Sequence, residues 1–408
     1  MNNTRLKLTE SQAWLPNEPI DIQGSAWLAP NKDVHFFCDL HADAGAFVRS
    51  LKLSGLITED SSIEHITLTE TAQHAQIIIG GDCFDKGPSN LDLFKVLGNL
   101  RAAHSDLILL SGNHDLRVLA GIIALDHQDD IRQSHFVIRM GRKTVALFKE
   151  IFDQYHLADT APTLSNQEAI ATLSPNDEWF EKFAEYADIH LTEKQIEKEF
   201  KQIRKKQVDM FAACAEVGLT PNQLHQAIDF AKTLFIEPNG EYSWFFEEFK
   251  LVHRNGSYLF CHAGLDDSIA EYFHNYSQPC ELINDMFQNT LRNGKIFEIY
   301  YSAFGNIVRT KYRNKDFPLT SKGTQHLKDQ GIFALVNGHR AHLDGQKLYV
   351  RAGILNFECD TELNSNCRKK QGLNHQGESA TIFSINGTVS ALCSDLYSPK
   401  IFTPNKIR

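Results

Sequence analysis

The stretch Gln76-Ile-Ile-Ile-Gly-Gly-Asp-Cys-Phe-Asp-Lys-Gly87 joins a short apolar run to a segment of glycine and aspartate. Similar apolar runs that end before Gly, Asp, Asn or His recur at 34–38, 107–110, 257–261 and 333–336. Runs of this length and composition are typical of buried strands. Helical patterns separate the early runs, as in Asn90–Leu100, whose apolar residues fall on one face. Alternating strands and helices predict an α/β fold with helices packed on a sheet.

The chain changes character after about residue 345, where the helical patterns stop. Residues 347–350, 380–385 and 389–393 have the composition of consecutive strands. The pair Asn386–Gly387 favours a tight turn between the last two of them. The sequence therefore predicts an antiparallel continuation of the core.

The segment from about 145 to 250 is helical in pattern instead. Thr192 and Thr220 each begin a capping-box sequence, and Pro221 occupies the first helical position after the second. An interruption near Gly218 separates two amphipathic stretches. These features predict a helical hairpin.

Charge and length narrow the class of function. The 408 residues include 51 Asp and Glu against 41 Lys and Arg, a net charge of −10. An acid excess disfavours nucleic acid as a general partner. No apolar run reaches the roughly 18 to 20 residues of a membrane helix, and the start of the chain lacks the apolar core of a secretory signal. We expect a soluble, cytoplasmic protein whose eight cysteines are reduced.

Chemically reactive side chains follow each of the five predicted strands of the core. In chain order they are Asp39 and His41, then Asp82 and Asp85, then Asn113 and His114, then His262, and finally His339. The tetrapeptide Gly112-Asn-His-Asp115 alone arises by chance in only about one in a thousand chains of this length. Open α/β sheets place their sites at the carboxyl ends of strands. We therefore predict one site built from all five loops.

In this order the motifs resemble those of the calcineurin-like metallophosphoesterases, most closely the phosphoprotein phosphatase branch. The resemblance is carried by Asp39-Leu-His41, Gly81–Gly87, Gly112–Asp115, His262 and Gly338-His339, within residues 34–345. The family usually has glycine where Cys38 and Ala42 stand, and arginine where Lys86 stands. The resemblance implies a metallophosphatase-type β-sandwich core flanked by helices, with an α-helical hairpin insertion.

The implied division of the chain is an N-terminal extension (1–30), a discontinuous catalytic domain (31–145 and 250–395), a helical insertion (146–249) and a C-terminal tail (396–408). The insertion is a candidate docking surface for a protein. A helix with one apolar stripe also packs readily on its own domain, so both interpretations stay open.

The resemblance further implies a centre of two divalent metal ions. Asp39, His41 and Asp82 would bind the first ion, and Asp82 would bridge to a second ion held by Asn113, His262 and His339. Such mixed ligands suit manganese, with iron or zinc as alternatives. A hydroxide that bridges the two ions would attack phosphorus in line. His342, close behind His339, is either a further ligand or an ordinary loop histidine.

Other roles concern the leaving group and the phosphate. The resemblance implies that His114 assists the leaving group and that Asp85 hydrogen-bonds His114, while a turn-forming role for Asp85 is the alternative. Lys86 would meet the phosphate as a point charge in place of a bidentate guanidinium. Arg340 and Arg309 are candidates to compensate for the missing arginine, or else surface residues exposed to solvent.

The leading functional hypothesis is a phosphoprotein phosphatase that hydrolyses phosphoserine, phosphothreonine or phosphotyrosine. Its expected partner is a phosphorylated protein or phosphopeptide. The first alternative is a symmetrical dinucleoside tetraphosphatase or another nucleotide hydrolase of the same branch. The second is a non-catalytic scaffold that has kept the fold and lost the metals; its signature would be missing ligand residues, and all six principal positions are filled.

Overall fold

Two β-sheets form the centre of the computed structural model, which describes residue 7 and residues 10–20, 26–373 and 375–404. The strands are β1 (Gln12–Ala13), β2 (Asp33–Phe37), β3 (Ala75–Ile79), β4 (Leu107–Leu110), β5 (Phe249–Lys250), β6 (Val252–Asn255), β7 (Tyr258–Cys261), β8 (Ala334–Asn337), β9 (Lys347–Arg351), β10 (Ile354–Glu358), β11 (Ser379–Phe383), β12 (Val389–Cys393) and β13 (Lys400–Phe402). The first sheet has the order β1-β13-β12-β11-β2-β3-β4-β5, and the second has the order β6-β7-β8-β10-β9.

Parallel pairing occurs where the predicted strands alternate with helices. Strands β2, β3, β4 and β5 run parallel in the first sheet, and β7, β8 and β10 run parallel in the second. The C-terminal strands β11, β12 and β13 continue the first sheet in antiparallel fashion. The early strands and the antiparallel strands over 380–385 and 389–393 are confirmed. Residues 347–350 also form a strand, β9, but it pairs antiparallel with β10 in the second sheet.

An aromatic core fills the space between the two sheets. Phe36 of β2 packs against Phe260 of β7 with ring centroids 5.8 Å apart, and Phe260 packs against Phe383 of β11 at 5.3 Å. The next residue along β2, Phe37, points to the other face and joins the core beneath the helices. This two-residue alternation follows from strand geometry. The predicted class, an α/β fold with a β-sandwich core flanked by helices, is confirmed.

Helices cover the outer faces of both sheets and form the insertion. They are α1 (Ala44–Leu53), α2 (Glu70–Gln73), α3 (Asn90–Ala103), α4 (Asn113–Ala124), α5 (Phe136–Met140), α6 (Val145–Gln154), α7 (Asn166–Leu173), α8 (Asp177–Ala187), α9 (Glu193–Glu216), α10 (Pro221–Phe235), α11 (Ser243–Glu247), α12 (Asp267–Asn275), α13 (Pro279–Arg292), α14 (Ile296–Tyr301), α15 (Ala303–Ile307), α16 (Ser321–Asp329) and α17 (Ser365–Lys370). The predicted hairpin is formed by α9 and α10, with Gly218 in the left-handed region between them. Within the described residues, no helix is long and apolar enough to cross a membrane.

The two ends of the chain contribute to the first sheet, although the sequence suggested an extension and a tail. Strand β13 pairs with β12 and with β1, and Trp14 after β1 is buried against Phe357. Residues 1–6, 8–9 and 21–25 of the expected extension and 405–408 of the expected tail lie outside the described residues. The division of the chain into domains stays a prediction.

The hairpin turn between β9 and β10 offers a direct test of backbone strain. Ala352, which is exposed, and Gly353 occupy it with φ values of 47° and 80°, a conformation that asparagine adopts at lower cost than alanine. We expect Ala352→Asn to raise the free energy of unfolding by about 1 kcal/mol, measured by thermal denaturation. Ala102→Asn, an exposed site within α3, is the matched control and should lower stability. Equal losses in both variants would contradict this account.

Candidate metal centre

The structure brings the five predicted loops together at one end of the two sheets. Asp39 and His41 follow β2, Asp82 follows β3, and Asn113 and His114 begin α4 directly after β4. His262 and His339 follow β7 and β8, which are neighbours in the second sheet. The site therefore lies where the carboxyl ends of parallel strands from both sheets meet.

The side chains form two clusters that share the Asp82 carboxylate. One cluster contains His41, Asp82 and His114, and the other contains Asp82, His262 and His339; within each, the candidate ligand atoms lie within 4.8 Å of one another. Asp82 Oδ2 lies 3.7 Å from His41 Nε2, and Asp82 Oδ1 lies 3.4 Å from His262 Nε2. A carboxylate with one oxygen towards each cluster is suited to bridging two cations.

Asp39 adds a second carboxylate to the first cluster. Its Oδ1 lies 3.9 Å from His41 Nε2, while its Oδ2 accepts a hydrogen bond from the backbone N–H of His339 at 2.8 Å. Gly338 allows this approach, because a Cβ there would collide with the Asp39 carboxylate. The hydrogen bond joins the loop after β2 to the loop after β8, so one contact links the two sheets at the site.

Another buried carboxylate, Asp115, holds the loops after β3 and β4. It accepts backbone hydrogen bonds from Asp82 at 2.7 Å, Cys83 at 2.8 Å and Gly112 at 2.9 Å. These donors are the peptide groups of the loops that carry the candidate ligands. Asp115 therefore fixes the backbone of Asp82 relative to the start of α4, where Asn113 lies.

Backbone contacts also set the tautomers of two histidines. His41 Nδ1 donates to the Phe84 carbonyl at 3.1 Å, and His262 Nδ1 donates to the Gly80 carbonyl at 2.7 Å. With the proton on Nδ1, the neutral ring has its lone pair on Nε2 and aimed into the clusters. Within the described part of the chain, the buried His262 Nε2 has no hydrogen-bond partner. An imidazole arranged in this way is a ready metal ligand.

The Asn113 side-chain amide lies between His339 and the first turns of α4. With its nitrogen towards His339, it donates to His339 Nδ1 at 2.8 Å, and its oxygen accepts from the His114 N–H and the Arg117 guanidinium, both at 3.2 Å. The amide of Asn113 therefore lies in contact with the second cluster.

The charges of the site fit the same interpretation. Burial raises the pKa of the Asp39 carboxyl to about 8, and the nearby Asp82 carboxylate adds to this shift. Burial also opposes ionisation of Asp82, but His262, His114 and His41 hold the pKa of that carboxyl well below its usual value. Burial lowers the pKa of His41 and His339, which favours neutral imidazoles. Two close carboxylates with neutral imidazoles and an amide form a donor set that fits manganese, iron or zinc.

His114 and Asp85 form a buried pair next to the clusters. His114 Nδ1 donates to Asp85 Oδ2 at 2.9 Å, and His114 Nε2 lies 3.9 Å from Asp82 Oδ2. Burial lowers the pKa of His114, and the two carboxylates oppose that shift. The Asp85 contact fixes the ring and leaves Nε2 facing the shared carboxylate. The structure thus gives the pairing that the resemblance implied.

Lys86 lies closer to the candidate ligands than expected. Its Nζ donates to His41 Nε2 at 2.6 Å, in the direction that the His41 lone pair would offer a cation. Burial lowers the pKa of Lys86, but Asp82 and Asp39 outweigh it and raise the pKa above its usual value. In this position the ammonium faces the first cluster.

Arg340 and Arg309, the two arginines proposed for phosphate binding, contact other parts of the protein. Arg340 Nε donates to Glu358 Oε1 at 2.7 Å, and the half-buried Arg309 donates to the backbone carbonyls of Gly305 and Tyr300. His342 Nε2 lies 2.7 Å from Glu358 Oε2, so it joins the Arg340 ion pair and neither metal cluster. These three side chains therefore contact Glu358 or the backbone, and none of them belongs to either ligand cluster.

The sequence motifs did not include Arg117, and they included Asp115 without assigning it a role. Arg117 Nη1 lies 3.9 Å from Asp85 Oδ2, and Asp115 binds the loop backbone as described. Both lie in the first turns of α4, and Arg117 is four positions after Asn113. Helical residues four apart share a face, so this spacing was the available signal for Arg117.

Comparison with known proteins gives remote likenesses to phosphatases. No protein-family model and no curated protein matches the chain. A cold-active protein-tyrosine phosphatase of a psychrophilic Shewanella species is similar over 98% of this chain and 90% of that chain, with 12% identity and a TM-score of 0.47. A protein serine/threonine phosphatase from Saccharomyces cerevisiae is similar over 91% of this chain and 79% of that chain, with 10% identity and a TM-score of 0.39. Likenesses this remote do not assign an activity to the chain.

Proposed function

We propose that this protein is a metal-dependent phosphomonoesterase that acts on phosphoproteins. The observation that carries the proposal is the pair of ligand clusters joined by Asp82, with the His114–Asp85 pair beside them. We assign Asp39, His41 and Asp82 to one cation, and Asp82, Asn113, His262 and His339 to the other. When bound, two divalent cations would neutralise phosphate oxygens and lower the pKa of a water molecule that attacks phosphorus.

The remaining steps belong to the side chains. His114 Nε2 would hold a proton for the leaving oxygen, and Asp85 would stabilise the charged ring through its contact with Nδ1. Lys86 would bind a phosphate oxygen as a point charge, with its ammonium turned from His41 towards the substrate. The buried setting strengthens each of these electrostatic contacts.

Assaying the full chain with manganese tests the proposal directly. Phosphoserine, phosphothreonine and phosphotyrosine peptides should all be compared with a dinucleoside tetraphosphate at equal concentrations. Turnover of phosphopeptides supports a protein phosphatase and gives its residue preference. Strong turnover of the dinucleotide alone would support the nucleotide hydrolase instead. Fewer than one bound metal ion per chain, with no turnover of any substrate, would indicate the scaffold.

Removal of the Lys86 ammonium should strengthen metal binding and weaken phosphate binding. Because its ammonium contacts His41 Nε2, Lys86→Met removes a cation that competes with the first metal and also removes a phosphate ligand. We expect tighter manganese binding by calorimetry and about tenfold weaker inhibition by inorganic phosphate. Lys86→Arg should keep the inhibition by inorganic phosphate that the wild type shows, because a guanidinium also binds phosphate.

The control is Lys322→Met, an exposed residue in the first turn of α16. It should change neither manganese binding nor phosphate inhibition. Unchanged values in Lys86→Met would remove Lys86 from the proposed site.

A further inference from the structure

Three cations from separate elements interact with Asp85 of the His114–Asp85 pair, Arg117 at 3.9 Å and two lysines over a longer distance. They are Arg117 in α4, Lys143 in the turn Arg142–Thr144, and Lys206 in α9. Burial and then the charges of Lys86 and Arg117 lower the pKa of Lys143. Burial and then the charges of Arg117 and Arg139 lower the pKa of Lys206 to about 8. The Asp85 carboxylate opposes both shifts, so the three cations share one electrostatic neighbourhood.

Two anionic groups face these cations, Asp85 and Tyr300. Burial raises the pKa of Tyr300, but the charges of Arg139, Arg309 and Arg117 outweigh it and lower that pKa to about 6. The cations outnumber these two groups. Asp85 is the carboxylate nearest to Arg117, and it already accepts the His114 Nδ1 proton. Lys206 Nζ donates to the Arg139 carbonyl at 2.7 Å, which supplies no opposing charge. In the described ranges neither Lys143 nor Lys206 forms an ion pair with a carboxylate. Uncompensated cations in a chain with a net charge of −10 point to an anionic ligand.

The cations adjacent to this group are accounted for and can be set aside. Arg139 forms an ion pair with Glu199 and donates to the Tyr300 hydroxyl at 3.0 Å. Arg309 lies over the Tyr300 ring, 4.2 Å from its centroid. These contacts are internal to the fold, so they leave Arg117, Lys143 and Lys206 as the group available to a ligand.

Lys206 is positioned by the fold at the boundary of the insertion. Its Nζ packs on Gly141, whose φ of 74° and missing side chain allow the approach, since a Cβ there would lie 2.7 Å from the ammonium. The carbonyl contact uses one of its three N–H groups and leaves two for a ligand. Helix α9 therefore places a partly exposed ammonium, fixed by the Arg139 carbonyl, in the neighbourhood of the site.

We propose that Arg117, Lys143 and Lys206 form an anion-binding subsite for a second phosphoryl or carboxylate group of the substrate. The inference rests on the proposed function and specifies its substrate class: phosphate esters with another anionic group close to the phosphate that is cleaved. A phosphopeptide with an acidic neighbour and a polyphosphate chain both meet this description. The insertion then acts in substrate selection by supplying Lys206.

Two phosphotyrosine peptides that differ only by Glu against Gln next to the phosphotyrosine test the subsite with the manganese-loaded full chain. The readout is the ratio of kcat/KM for the acidic peptide to that for the neutral peptide. We expect the wild type to favour the acidic peptide and Lys143→Gln or Lys206→Gln to reduce that ratio by about tenfold. Lys205→Gln, an exposed neighbour on α9, is the matched control and should keep the wild-type ratio.

Binding of pyrophosphate by calorimetry, without added metal, gives a second readout that does not depend on turnover. We expect Lys206→Gln to weaken pyrophosphate binding about tenfold and Lys205→Gln to leave it unchanged. Wild-type turnover with equal ratios for all variants, together with unchanged pyrophosphate binding, would overturn the subsite. Absence of peptide turnover would instead count against the proposed function, and pyrophosphate binding would still decide on the subsite. If the lysine substitutions weakened pyrophosphate binding but left the peptide ratio unchanged, the polyphosphate chain would be identified as the source of the anion.

Discussion

Asp82→Asn is expected to reduce kcat/KM for phosphopeptides by roughly a thousandfold or more, because it removes the charge shared by both ligand clusters. The carboxylate oxygens lie 3.7 Å from His41 Nε2 and 3.4 Å from His262 Nε2, so one substitution weakens both cation positions. Bound manganese, measured by elemental analysis after gel filtration, should fall in parallel.

Asparagine is the suitable replacement for Asp82 because it keeps the local structure. Residue 82 has a φ of 58°, which asparagine tolerates, and its side-chain oxygen can still accept the His114 N–H that Asp82 Oδ1 accepts at 2.8 Å. Asp92→Asn removes an exposed carboxylate from the first turn of α3 and serves as the control. If Asp82→Asn kept its full metal content and an activity within tenfold of wild type, the bridging role of Asp82 would be excluded.

His114→Gln is expected to lower kcat by a factor of about 100 to 10,000, the range for loss of a general acid or base. The loss should depend on the leaving group. The serine side chain of a phosphopeptide is a poor leaving group as an alkoxide and needs a proton. The nitrophenol of p-nitrophenyl phosphate leaves as a stabilised phenoxide and does not. We therefore expect a much larger loss for phosphoserine, measured as the ratio of kcat values for the two substrates.

Asp85→Asn extends the test of His114. It removes the carboxylate that accepts the Nδ1 proton at 2.9 Å but leaves the imidazole, so its effect should follow the same leaving-group order and be smaller. His127→Gln, in the turn Leu125–His127 that follows α4, is the control. It should change the kcat values for both substrates little and to the same extent. Equal losses for phosphoserine and p-nitrophenyl phosphate in His114→Gln would exclude proton transfer and leave only a structural role.

The parts of the fold that sequence could predict are those with a local signal. Runs such as Gln76–Ile79 are apolar, short and bounded by glycine, which fixes them as buried strands whatever they pair with. Thr220 and Pro221 specify the start of α10 through its own first turn. What the runs do not encode is the partner strand. The five strands therefore looked like members of one sheet, although β7 and β8 belong to the second.

The candidate site shows the same limit. Asp39, Asp82 and the histidines stand at the ends of strands, where type and position together indicate chemistry. Lys86 was singled out only by its place in the motif, and the only signal for Arg117 is its spacing from Asn113. Lys206 carries no signal at all, because an isolated Lys or Arg is usually exposed to solvent. Their placement depends on how α4 and α9 pack against the loops, a tertiary property. Strand β13 was missed for a related reason, since a three-residue strand is defined by β12 and β1 beside it.

The Asp115 carboxylate has a consequence for how the protein opens. It joins the peptide groups of residues 82, 83 and 112, so the loop after β3 cannot detach without breaking hydrogen bonds that also anchor the loop after β4. Local fluctuations that release one loop must release both, and an isolated carboxylate would then be left unpaired in the interior. The two loops thus constitute one cooperative unit in native-state hydrogen exchange. Metal binding at either loop would protect the amides of both.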